Sequence, residues 1–178
     1  SVLHPFWVRD KKRNYRTMIL APELNLQCTN WWGGANALGS RVPTGLKRFT
    51  DSKGRFPIIS NRYPMPEGHS LNIYRPFFNS RGGDVFRAYL NLVRWLERSG
   101  VELDYVSDLD LSKNPNALNG YDKIIIPPSM KFWTPEMFES LADAKMRGVS
   151  LYNFGSGAGS RKVVYDSRNQ NIQPQFND

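Results

Sequence analysis

Ser129 and His69 form the one serine–histidine pair that could act as nucleophile and base in this sequence. The chain holds two histidines and one cysteine in 178 residues, and a hydroxyl nucleophile needs an imidazole within hydrogen-bond reach. His4 belongs to the N-terminal arm, so His69 is the imidazole to weigh, against a structural serine and a surface histidine. Lys131, with Arg75, Arg81 and the amides that open the helix at Asp84, suits a carboxylate or phosphate instead. The plain alternatives are a surface lysine or one paired with Glu136 or Asp84. Glycines at 155, 157 and 159 could cradle a phosphate, but no helix pattern follows them.

Two further groups suggest binding rather than catalysis. Trp31 and Trp32, with Lys47, Arg48, Lys53 and Arg55, resemble stacking platforms among cations, as single-stranded nucleic acid requires. No recognised nucleic-acid-binding motif supports that reading. A tryptophan pair in a loop more often pins the loop or buries against another chain, so protein contact is favoured. Asp104, Asp108 and Asp110 sit around a strand end and read as caps and turn formers, not as an acid–base pair.

These residues need elements to hold them. Val85, Phe86, Tyr89, Leu90, Val93 and Leu96 recur at spacings of three and four, which predicts a helix from the N-cap Asp84 to Gly100. Leu103, Tyr105 and Val106 follow as a strand, and residues 16–22 supply an earlier one. Residues 108–120 read as a connection with a turn or short helix. Lys123 to Pro128 is a third strand. Thr134-Pro135-Glu136 starts a second helix with Met137, Phe138, Leu141 and Ala144 on its buried face. Residues 149–154 make a fourth strand. The order predicts a flavodoxin-like parallel sheet with first and third strands adjacent and a crevice at their C-terminal ends. Residues 27–32, 75–78 and 129–133 should meet there.

The remainder is a single α/β domain, 1–178, with appendages. Residues 1–15 form an N-terminal arm with an edge strand. Residues 23–81 lack any helical period and read as a long aromatic and basic loop insertion, with a small hairpin around 56–60. Residues 160–178 read as a polar tail, frayed beyond 170. The charge of +8 admits acidic partners such as nucleic acid, an anionic surface or an acidic subunit. On charge alone, a solvated basic surface with no dedicated partner is the favoured reading. One cysteine, Cys28, leaves no internal disulfide and fits a reducing compartment, so an intracellular or organellar soluble protein is expected before a secreted one. No apolar run reaches the length of a membrane span. A first residue other than Met suggests a processed chain or a piece of a longer one.

Three stretches carry a resemblance: residues 95–111 (WLERSGVELDYVSDLDL), Trp32-Gly33-Gly34, and Tyr74-Arg75-Pro76-Phe77. Over most of its length the chain resembles the C-terminal domain of the N,N-dimethylformamidase large subunit, a class I glutamine amidotransferase-like fold. The resemblance implies a mononuclear iron held by two tyrosines and a glutamate, with a histidine nearby, hydrolysing a small amide. At the matching positions this chain has Thr29, Phe77 and Lys131, with Ser129 and Met130 before the lysine. Thr, Phe and Lys supply no anionic oxygen, so iron is expected to be absent. The amidotransferase nucleophile would follow strand three, at Ser129, and not at Cys28. The expectation is a catalytically degenerate domain acting as a structural or interaction module with other protein subunits. The alternative is an amide hydrolase of the dimethylformamidase type.

Overall fold

Met18, Ile19, Leu20 and Ala21 are completely buried, the pattern of a parallel strand covered on both faces. In the computed structural model, which describes residues 2–3, 12–30, 35–37, 39–40, 58–60, 65–66 and 84–175, this run is the centre of the molecule. The strands in chain order are β1 (Val2–Leu3), β2 (Thr17–Ala21), β3 (Ala35–Asn36), β4 (Gly39–Ser40), β5 (Ile59–Ser60) and β6 (Met65–Pro66). They continue as β7 (Asp104–Ser107), β8 (Lys123–Ile126), β9 (Phe132–Trp133), β10 (Ser150–Asn153), β11 (Arg161–Asp166) and β12 (Asn171–Pro174). The helices are α1 (Glu23–Cys28), α2 (Asp84–Arg98), α3 (Asp108–Lys113) and α4 (Pro135–Met146), with a 3-10 turn at Pro115–Leu118.

The main sheet is parallel, in the order β10-β8-β2-β7. The first and third strands of the unit, β2 and β8, lie side by side, as the crossover pattern predicts. Strand alternation sorts the core. Met18, Leu20, Val106, Ile124 and Ile126 face α4 with Met137, Leu141 and Ala144. Ile19, Ala21 and Ile125 face α2 through Tyr89, Val93 and Leu96. Gly100 ends α2 at φ +74°, with Val101 N–H donating to the Leu96 carbonyl at 3.0 Å. Thr134 caps α4 by accepting from Met137 N–H, and Ser107 caps α3 by accepting from Asp110 N–H.

A second sheet, β5-β12-β11-β9, stands beside the first, and it corrects an expectation. The stretch read as a polar tail holds the antiparallel pair β11–β12 through Pro174. Val163 and Ile172 are buried there against Phe132, Leu24 and Ile59. Alternating burial on a mostly polar strand needs few apolar residues, so composition alone misreads it. Ile59–Ser60 pairs with Asn171–Ile172, more than a hundred positions away, and the rest of the small hairpin expected around 56–60 lies outside the described residues. Val2–Leu3 is a strand, antiparallel to Met65–Pro66.

Two further expectations fail. Residues 23–81 contain a helix, α1, immediately after β2. Its six residues are too few to show a helical period. Phe138 does not line the buried face of α4. It is 40% exposed and packs edge-on against Trp133 with ring centroids 4.9 Å apart, while Ser140 is buried in its stead.

Candidate functional site

Three strand ends are tied together by buried polar groups: the exits of β2 into α1, of β7 into α3, and of β8 toward β9. Pro22 precedes α1 and offers the helix no side-chain cap. Asp108 supplies one from across the sheet. Its Oδ1 accepts from Leu24 N–H at 2.6 Å, and its Oδ2 accepts from Asn25 N–H at 3.0 Å and from Asn25 Nδ2 at 2.9 Å. Asn25 then reaches the third exit, donating Nδ2 to the Phe132 carbonyl and accepting Phe132 N–H at Oδ1, both at 2.8 Å. Asn25 and Asp108 are completely buried. Burial pushes the Asp108 carboxyl up to about 7, while the bonds from Asn25 and Leu24 pull it back down.

Asp108 therefore is a cap, as expected, but of a helix 84 positions earlier rather than of its own turn. Asp104 likewise acts at long range, accepting from Asn14 and Tyr15 N–H and from the Tyr121 hydroxyl. Asn25 was invisible to sequence reasoning because it sits in the short helix that carries no period. Arg87, off the apolar stripe of α2, is nonetheless buried; helical spacing gave no sign of it.

Thr29 is buried at the end of α1, where its hydroxyl donates to the carbonyls of Asn25 at 2.9 Å and Leu26 at 3.2 Å. Ser129 follows β8 with φ +68°, a left-handed conformation that a non-glycine residue adopts only when its surroundings impose it. The chain around it leaves little choice. A Cβ on Gly155 would lie 2.7 Å from the Pro128 Cα and 3.2 Å from the Ser129 amide nitrogen. Gly155 thus lets the end of β10 press against the serine turn. Gly159 similarly lies under the rings of Trp133 and Phe138, so these two glycines serve packing rather than a phosphate cradle. Lys131 is half-buried, and among the described residues it makes no ion pair with Glu136, one of the plain alternatives. His69, Arg75, Phe77, Arg81, Trp31 and Trp32 lie outside the described residues.

Cys28 is completely buried in the second apolar cluster. Burial raises its thiol well above the ordinary range, and the nearby Asp108 carboxylate raises it further. A thiol held protonated and covered is a poor nucleophile. We expect Cys28 to resist a thiol reagent in the native chain and to react fully in denaturant. Fast labelling of the native protein would contradict its placement.

Among the described residues, no group of three or more His, Cys, Asp or Glu side chains could hold a metal ion, and no helix is long and apolar enough to cross a membrane. The sequence profile of the N,N-dimethylformamidase beta subunit-like C-terminal family matches residues 1–175. The chain belongs to this family. No curated protein matches it. The dimethylformamidase-like assignment covers the main sheet, the second sheet and the crevice network alike, so β11 and β12 fall within the family's matched span and are not a trailing addition.

Proposed function

We propose that this dimethylformamidase-like domain is catalytically degenerate and serves as a structural or interaction module within a larger assembly. What supports the reading is the donor set at the crevice. The Thr29 hydroxyl is spent on two helix carbonyls, and Lys131 presents an ammonium where a metal site calls for a carboxylate. Phe77, by its side chain alone, offers no donor. Iron prefers anionic oxygen and imidazole, so these residues do not fit an iron ion, and no catalytic step is derived through one. Asn25 and Asp108, the buried polar pair at these strand ends, are engaged in hydrogen bonds to each other and to the backbone of Leu24, Asn25 and Phe132.

Metal analysis of the purified chain tests this directly. Iron well below one ion per chain, with no hydrolysis of N,N-dimethylformamide, is the expected result. One iron per chain together with hydrolysis would establish the second reading, an amide hydrolase acting on small formamides, which the family's name favours. The assembly role predicts that the native protein co-purifies with other subunits. Trp31→Ala or Trp32→Ala should weaken that association.

A further inference from the structure

Asn119 and Gly120 make the exposed turn between the 3-10 turn at Pro115–Leu118 and β8, and they are the one asparagine–glycine step in the sequence. A glycine amide is the least crowded nucleophile the main chain offers, since no Cβ stands beside it. Here that amide is also free. The Gly120 N–H donates to no acceptor among the described residues. Leu26, Ala37, Ala117 and Phe154, which also follow asparagines, each donate theirs to a carbonyl. Exposure, sequence and a free amide therefore coincide at 119.

One contact opposes reaction there. Asn119 has ψ 132°, which holds the Gly120 nitrogen out of the plane that ring closure on the Asn119 side chain needs. The peptide between them must rotate first. Arg13 Nη1 donates to the Asn119 carbonyl at 3.4 Å, the one bond that carbonyl accepts among the described residues. The guanidinium also lies over Gly120, where a Cβ would collide with it. Rotating the peptide breaks this long, exposed bond.

We propose that Asn119 is a site of spontaneous deamidation and that the Arg13 guanidinium sets its rate. The Gly120 nitrogen attacks Asn119 Cγ, the Cγ–Nδ2 bond breaks, and ammonia leaves carrying the amide proton. A solvent water then opens the cyclic imide. Attack at the side-chain carbonyl gives aspartate, and attack at the main-chain carbonyl gives isoaspartate. Either product lowers the charge of +8 by one and sets a carboxylate beside Arg13. The change falls where the chain ahead of β2 is fastened to the entry of β8. Arg16 pairs with Asp122 and accepts its N–H at 2.8 Å, the Tyr121 hydroxyl donates to Asp104 at 3.1 Å, and Arg13 lies over the Tyr121 ring. Isoaspartate lengthens the main chain by one methylene at that fastening.

Incubating the full chain in warm, mildly alkaline buffer and mapping its peptides by mass tests this. The peptide holding Asn119 should gain the mass difference between hydroxyl and amide before any other asparagine peptide does, and should split into aspartate and isoaspartate forms. Arg13→Ala, with unchanged circular dichroism, should react about twofold to tenfold faster, the factor that one net hydrogen bond is worth. Asn119→Gln should stay unmodified at 119, because its longer side chain must close a larger ring. A native chain that keeps the amide at 119 while another asparagine reacts overturns the proposal. So does aspartate without isoaspartate, which excludes the imide, or an Arg13→Ala rate equal to that of the wild type.

Discussion

Asp108→Ala should cost about 3 kcal/mol of stability, because it strands two buried donors at once and weakens a third. Leu24 N–H and Asn25 N–H lose their acceptor and Asn25 Nδ2 loses one of its two, and each orphaned N–H costs about 1–3 kcal/mol. The loss falls at the start of α1, which has no other side-chain cap. Urea unfolding measures it. A loss below about 1 kcal/mol would mean that the network does not hold the three strand ends. The same carboxyl sets a pH dependence whose sign is fixed. It ionises at about 7 in the fold and near 3.8 in an unfolded chain. Below about pH 4 both forms hold the proton, and between the two values only the folded form does. Its proton-linked stabilisation is therefore complete in acid and is lost as pH rises through about 7, by about 1.4 kcal/mol per pH unit. Asp108→Asn should abolish that slope. It should also cost stability at every pH, since an amide nitrogen cannot accept from the α1 donors.

Asn25→Asp should be more damaging at high pH than at low pH. The new carboxylate would lie within hydrogen-bond distance of Asp108 Oδ2, where Asn25 Nδ2 now donates at 2.9 Å. It would also set an acceptor against the Phe132 carbonyl in place of the present 2.8 Å bond. Two buried carboxylates cannot both ionise at such a distance without a large penalty. Each buried hydrogen-bonding group left unpaired costs about 1–3 kcal/mol, and more where it is charged. At pH 5 a single proton shared between the two groups restores one hydrogen bond, and part of the loss is recovered. At pH 8 the full loss remains. Urea midpoints at both values distinguish this from simple loss of shape. Equal destabilisation at the two pH values would rule out the proximity of the two side chains.

The main sheet was legible because its elements are long or strongly patterned. The α2 stripe from Val85 to Leu96 spans several turns, and the β-branched run 124–126 between a lysine and two prolines has few alternatives. Their order then fixed β2 beside β8 through crossover handedness. The second sheet was not legible, because its strands are short and joined across the chain. Ile59 finds Ile172, and Phe132 is adjacent to Arg161 in register; neither pairing leaves a local trace. The adjacency of β2 and β8 was read correctly, yet the residues that tie their ends to β7 were missed. Asp108 looked like an ordinary turn former, and a six-residue helix has too few positions to display a stripe. What decides their role is a bond across 84 positions, which no window along the sequence contains.

That separation also governs the order in which the molecule can be completed during synthesis. A six-residue helix cannot persist on its own in water, and the groups that close α1 lie at 108 and 132. Until residues 104–107 emerge, β2 has no neighbour from the main sheet, since both β7 and β8 come later. A truncated product ending before Asp104 would lack the first helix as well as the sheet. The amino-terminal third of the chain thus waits on the remainder, and the domain is finished from its later half backwards.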